Sequence, residues 1–463
     1  MRAMLGCFCI LVLAGCSSAT GSRDDDGGAG NGSTSGGKGN GGSSGSGGST
    51  ATAGSASGGA NASGGSGGTS STAGAGGTNV AGGSGGSAAS GGPNNGGDVT
   101  AQCSDPVGPG LPEDAPELVV GTWVDISPSY LDWGNGPFTQ GMAVDPCNPA
   151  VLYLTSDAFD ISFGGLHKSI NGGASWTKIG LVSGETDKYI DEPIRVRIDP
   201  NDTQHLYLVD GVRGDTEGFW ISTDGGATFS MPQSFKDIGT QEALFQYDVY
   251  DLAVDPTDFD HLLMSFHSAW GWEGKWNMSA GVLESTDGGE SFIVHPPDGW
   301  GGYGHSINFL YNPELGLGDS GTWLLGTQGG SMMRTTDAGV TWTQVTTKGI
   351  QHGGGTVRYA QNGDLYATTG DTLIKSTDNG ATWTGVGPGG GYNGIGGDGT
   401  NLYTAKCFGP THMITATEAN GATWTDFNSQ NFDSGSFEMA FDATNKILYT
   451  ASWGSGMWAL KTE

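Results

Sequence analysis

One eight-residue pattern recurs from residue 118 onward and constrains the fold more than any other feature of the chain. It reads Ser/Thr-x-Asp/Asn-x-Gly-x-Ser/Thr-Trp/Phe. Five copies are clear: Ser169 to Trp176, Ser222 to Phe229, Ser285 to Phe292, Thr335 to Trp342 and Ser376 to Trp383. A sixth, decayed copy runs from Thr417 to Trp424, with Ala419 where the others have Asp or Asn. Successive aromatics stand 53, 63, 50, 41 and 41 residues apart. A carboxylate and two hydroxyls at this spacing accept hydrogen bonds from a tight turn's backbone N–H groups. The glycine supplies a positive φ, and the aromatic packs between strands. The aspartates therefore hold turns and are not assigned catalysis.

A second element precedes each copy: an apolar strand, a turn, then a second apolar strand. Met142-Ala-Val144 with Leu152-Tyr-Leu154 is the first, and Val196-Arg-Ile198 with Leu206-Tyr-Leu208 the next. Further copies begin near Leu252, Ile307, Thr356, Ile395 and Met439, which makes seven. Strand, turn, strand, loop, strand, box and strand give four strands per repeat, a β-propeller blade. The seventh unit stops after Met457-Trp458-Ala-Leu460 and lacks its outer strand. Gly121-Thr-Trp123-Val-Asp-Ile126 resembles the strands that follow the boxes. The expectation is an all-β, seven-bladed β-propeller in which this N-terminal strand completes the last blade and removes its open edge.

The N-terminal segment differs in kind. Arg2 and the apolar run Leu5 to Leu13 form a short export signal, and Leu13-Ala14-Gly15-Cys16 resembles a bacterial lipobox. The resemblance implies that 1–15 is removed and that Cys16 carries lipid. Ser17 favours the outer membrane or cell surface of a Gram-negative bacterium. From Gly27 to Gly97, 30 of 71 residues are glycine, and most others are Ser, Thr, Ala and Asn. Such a stretch cannot bury enough apolar area to offset ordering. We expect 16–100 to be a disordered tether spanning roughly 50 Å, and 101–463 to be the propeller. Cys103, Cys147 and Cys407 remain after processing. A Cys103–Cys147 bridge beside blade one is expected, with unpaired thiols as the alternative.

Functional residues belong on the face opposite the boxes, where the loops between second and third strands and the blade-to-blade connections lie. Paired carboxylates there would serve acid–base cleavage of a glycosidic bond, and Asp157, Asp210, Asp248 and Glu273 are the candidates. Aromatic planes suit sugar rings, so Trp270, Trp272, Trp276, Trp300, Tyr303 and Trp453 are assigned as platforms. The first three share one loop, and packing beneath that loop is their alternative reading. His267, His305, His352, Arg195, Arg213 and Gln328 complete the substrate-binding set. The three histidines come from adjacent blades without a local ligand spacing. A metal site, or a base–acid set with Tyr303 or Tyr247, is their alternative; no metal or other cofactor is assigned. The chain carries 18 Lys and Arg against 48 Asp and Glu, a net charge of −30. That excludes nucleic acid as a partner and leaves lipid at Cys16 as the route to a membrane. A glycan or polysaccharide ligand and a monomeric state are expected.

The repeats resemble the Asp-box (BNR) propellers, which include sialidases, xyloglucan-active endoglucanases, sortilin-type receptors and photosystem assembly factors. Sialidases carry an Arg-Ile-Pro segment on the first inner strand; here that strand is Gln140-Gly-Met-Ala-Val144. The endoglucanases carry Thr-Asp followed by Gly-Gly, to which Thr155-Ser-Asp157 with Gly164-Gly165 is similar. The resemblance implies the propeller and points to Asp157 as an acid. Three functions follow: a surface glycoside hydrolase, a non-catalytic carbohydrate- or protein-binding propeller, and a polysaccharide lyase using His and Tyr.

Overall fold

The structure is a computed structural model. It describes residues 90–91, 110–133, 137–157, 164–211, 214–240, 248–267, 271–272, 275–276, 280–297, 300 and 303–463. The proposed signal, Cys16, most of the tether and Cys103 lie outside them.

Among the described residues the strands build seven blades around a central axis. Blade one pairs Met142–Val144, Leu152–Ser156, Gly165–Ser169 and Thr177–Ile179 in order. Blades three to six repeat this four-stranded antiparallel meander, with first strands at Val249–Asp255, Tyr303–Phe309, Val357–Tyr359 and Tyr392–Gly397. Blade seven takes Ser436–Asp442, Ile447–Ser452 and Gly456–Lys461 from the C-terminus. Its fourth strand is Trp123–Asp125, antiparallel to the last with Trp123 opposite Leu460. The expected closure is therefore present. Trp176 of blade one donates its indole N–H to Ile126 O at 2.7 Å, which ties the closing strand to the next blade.

Blade two departs from the meander. Pro193–Ile198, Leu206–Asp210 and Gly218–Ser222 pair as expected, but Thr228–Phe229 runs parallel to Leu181–Val182 instead of forming a full outer strand. Pro232 follows and has no N–H to extend an outer ladder. The chain turns there into the helix Gln233–Thr240, which the repeat did not foretell. Phe229 is buried in the seam between blades one and two.

Among the described residues seven apolar clusters hold the ring, one between each pair of neighbouring blades. The seam between blades seven and one, for example, packs Met142, Leu152 and Leu154 against Ala440, Tyr449 and Met457. The boxes behave as turn chemistry predicts. In the second copy Asp224 accepts from Thr228 N at 2.9 Å and Thr228 Oγ1 at 2.7 Å, while Gly226 N donates to Ser222 Oγ at 2.9 Å. Box backbones also reach the turn between first and second strands, as in Gly225 N to Gln204 O at 2.9 Å and Gly288 N to Asp260 O at 2.9 Å. Boxes and those turns thus share one face. Cys147 lies in such a turn and is disulfide-bonded; Cys407 is a buried thiol outside any disulfide.

Candidate functional site

On the opposite face, the first strands enter the ring with a register irregularity in several blades. It falls between Pro193 and Arg195, Val249 and Asp251, Gly304 and Ser306, and Ser436 and Glu438. A bulge re-aims the side chain of its extra residue. In blades three, four and seven that residue is Tyr250, His305 and Phe437.

Two of these bulges build an imidazole cluster. His267, at the end of blade three's second strand, His305, and His352, ahead of blade five's first strand, bring one ligand-type nitrogen each within 4.8 Å of one another. The buried Tyr250 ring lies 5.1, 4.8 and 5.4 Å from the three imidazole centroids. His267 Nδ1 is 3.2 Å from Asp248 Oδ2, and His352 Nδ1 is 3.0 Å from Gln328 Oε1. His305 Nε2 is 3.0 Å from His267 O. Burial first, then the two neighbouring imidazoles, pushes His305 down to about 3, so it is neutral at working pH. Tyr303 stands opposite Gln328 across the strand pair, 38% exposed, with its ring 5.8 Å from His305. Thus Asp248, His267, Tyr303, His305, Gln328 and His352 are brought together.

A carboxyl group cluster adjoins it. Asp210 ends blade two's second strand, fully buried, and accepts from Thr216 Oγ1 at 2.5 Å. The same hydroxyl also meets Asp191 Oδ1 in a very short contact. One hydroxyl hydrogen cannot serve two carboxylates at once, so the arrangement suits one of the two acids in its protonated form. Burial, with added repulsion from Asp191 and Glu192, raises the Asp210 carboxyl well above its ordinary range despite the Thr216 bond, and places that proton there. A Cβ on Gly211 would lie 2.9 Å from Asp248 Oδ1; only glycine at 211 lets the blade-three carboxylate come this close. Glu217 is half-buried beside these groups. Burial, then the charges of Asp248 and Asp191, raises its carboxyl, against a smaller opposing effect of His267.

Other assignments fall elsewhere. Arg195 is not at the substrate face. Its Nε donates to Asp251 at 3.0 Å and its Nη1 to Gln140 O at 2.5 Å inside the ring, so its guanidinium is engaged by protein. Trp300 is not a platform: it is buried in the seam between blades three and four, edge-on to Trp342 at 5.3 Å. Trp453 is half-buried, with its ring stacked on Phe138 at 4.3 Å and on Phe437 at 5.0 Å. Asp157 is buried where its backbone pairs with Phe138. Trp272 and Trp276 belong to a short hairpin, Gly271–Trp272 against Lys275–Trp276. Trp270, Glu273, Arg213 and Tyr247 lie outside the described residues.

The sequence did not single out Thr216 or the Phe138, Phe408 and Phe437 cluster around Trp453. Nothing in local spacing marks Thr216. The phenylalanines share one signal: each lies at the loop-face end of an inner or second strand.

No family model matches the chain. A xyloglucanase of Paenibacillus sp is 26% identical over 245 residues, which is 48% of this chain and 23% of that protein. An oligoxyloglucan-reducing end-specific xyloglucanase of Emericella nidulans is 28% identical over 160 residues, 34% of this chain and 18% of that protein. The chain thus matches under a quarter of these relatives' length. Among solved structures, the extracellular domain of a putative hybrid two component system from B. thetaiotaomicron superposes with a TM-score of 0.51 at 12% identity. That match covers 70% of this chain and 40% of the other, and it bears on the propeller fold alone.

Proposed function

We propose that this chain is a polysaccharide-acting glycoside hydrolase, displayed from the cell surface by lipid on Cys16. The observation that carries the reading is the convergence of Asp191, Asp210, Glu217 and Asp248 at one mouth of the ring. Four carboxyl groups this close cannot all ionise, which leaves at least one protonated beside ionised partners. That is the pairing a glycosidase needs. Glu217 is the half-exposed member and serves as the general acid, giving its proton to the leaving glycosidic oxygen. Asp248 serves as the base, taking a proton from the water that attacks the anomeric carbon. Asp210 and Asp191, with Thr216 between them, keep the site's proton count fixed. Tyr303 offers a ring for a sugar face. The xyloglucanase relatives make xyloglucan the first substrate to test.

The assay incubates the chain with xyloglucan and a panel of neutral and acidic polysaccharides and reads new reducing ends. Glu217→Gln should lower kcat at least 100-fold, within the usual range for loss of a general acid, while retention on a xyloglucan affinity gel persists. Retention by the wild-type chain without reducing ends on any polysaccharide would overturn the hydrolase. It would leave a glycan-binding propeller, a reading favoured by the burial of Asp157 and Asp210 away from solvent. Reducing ends accompanied by unsaturated uronate absorbance would mark a lyase.

A further inference from the structure

We propose that His267, His305 and His352 form a three-histidine site for one divalent transition-metal ion of the zinc class, with an open position toward the loop face. The inference does not require the hydrolase reading, although Asp248 takes part in both.

Hydrogen bonding fixes the tautomer of each ring. The Asp248 carboxylate and the His267 carbonyl can only accept, as can the Gln328 amide oxygen. His267 and His352 therefore carry hydrogen on Nδ1 and hold the lone pair on Nε2. His305 carries hydrogen on Nε2 and holds its lone pair on Nδ1. His305 Nδ1 is buried and has no hydrogen-bond partner. An orphaned buried acceptor costs about 1–3 kcal/mol and calls for an explanation. A cation among three nitrogen lone pairs supplies one.

The outer shell matches what metal-ligating imidazoles require. Each ring donates its other N–H to a carboxylate, an amide oxygen or a backbone carbonyl, which orients it and raises its basicity. These three acceptors come from three sources, Asp248, Gln328 and His267 O, so the rings are held separately. Neutral imidazoles are the ligand form, and zinc, copper or nickel suits them better than magnesium or calcium. Nitrogens about 2.0–2.1 Å from a tetrahedral ion stand roughly 3.3 Å apart. One ring nitrogen of each histidine already lies within 4.8 Å of the other two, so ring rotation with shifts of about 1 Å reaches that spacing. Three protein ligands leave one position for water or a sugar hydroxyl, the composition of an open zinc site. The His267 side chain is 28% exposed, which provides the entry path.

The test measures metal directly. The full chain, with accessible thiols alkylated to remove sulfur ligands, is stripped with chelator, titrated with Zn²⁺ by calorimetry and analysed for bound zinc after dialysis. One equivalent per chain is expected. His352→Ala, at a half-buried position, should abolish that equivalent while circular dichroism and the melting transition are preserved. His305→Ala should do the same if it folds; His352→Ala decides if it does not. Gln328→Ala should weaken binding about 10–100-fold through the outer shell. His412→Ala, at an exposed histidine paired with Asp426 on blade six, should keep the full equivalent. No zinc above the stripped baseline in the wild-type chain, or an undiminished equivalent in His352→Ala, overturns the proposal.

Discussion

At the scale of single residues, the box turns show how closely sequence and backbone agree and where they strain. Three copies have glycine at both left-handed positions, the fifth has Asn379 at φ 51° before Gly380, and the fourth has Ala338 at φ 51° followed by Gly339 at φ 76°. An alanine there meets the Cβ penalty that glycine avoids. Ala338→Gly should raise stability by about 0.5–1 kcal/mol, read as a higher denaturant midpoint at unchanged slope. The neighbouring change should act in the opposite direction. A Cβ on Gly339 would lie 2.7 Å from His295 Nδ1 and 2.8 Å from Trp323 Cζ3. Gly339→Ala should therefore cost about 2–4 kcal/mol, from backbone strain and overpacking together. Equal midpoints for the two variants would show that the box turn tolerates either conformation.

At the scale of elements, blade three shows charge stitching adjacent strands. Glu284, on Val282–Ser285, meets His261 Nε2 of the second strand at 3.0 Å and His295 Nε2 of the fourth at 2.8 Å. Burial pulls His261 down, but its bonds to Asp255 and Glu284 outweigh this and leave it raised to about 9. Burial pushes Glu284 up, but its bonds to the two histidines outweigh this and hold it at about 2. A raised histidine stabilises below its unfolded pKa near 6.5 and loses that contribution as pH rises through about 9. A depressed carboxylate stabilises above its unfolded pKa near 4.3 and loses that contribution as pH falls through about 2. The melting temperature of Glu284→Gln should thus fall furthest below wild type between about pH 4.5 and 6.5, and the gap should narrow toward either extreme. A gap independent of pH would refute the coupling. The strands themselves were legible, because box period and apolar alternation fix them. Blade two's displaced fourth strand and the helix after Pro232 were not, since a single proline outweighed the repeat. The site was legible in part for the same reason. The repeat states which strand ends meet, and so it brings His267, His305 and His352 into one neighbourhood. It does not state which side chains the bulges turn outward, nor that Arg195 and Trp300 end up inside. Those outcomes depend on packing between blades, which no local pattern encodes.

At the scale of the whole molecule, the ring is held by more than its seams and its closing strand. Arg197 of blade two reaches Glu438 of blade seven at 3.0 Å, and Glu438 also accepts from Met142 N of blade one at 2.5 Å. Arg197 Nε donates to Leu252 O of blade three, and Asp251 of blade three accepts from Ile307 N of blade four. One polar network therefore ties five inner strands beneath the candidate site. Removing one partner from a buried pair leaves the other charge uncompensated and costs about 3–5 kcal/mol. Arg197→Met should fall toward the lower end of that range, because Glu438 loses its hydrogen-bonded partner in a site where burial already disfavours its charge and keeps only the nearby Arg195 charge. Glu438→Gln keeps an acceptor for Met142 N and removes the charge, so it should cost less. In the double variant neither charge is left alone, and the two effects should fall short of additivity by about 0.5–3 kcal/mol. A double-mutant cycle in denaturant measures this, with His352→Ala as a reference at the loop-face mouth outside the Arg197–Glu438 pair. Strict additivity would mean that the pair across the axis contributes nothing to closure. Seam packing and the Trp123–Asp125 strand would then have to hold the ring unaided.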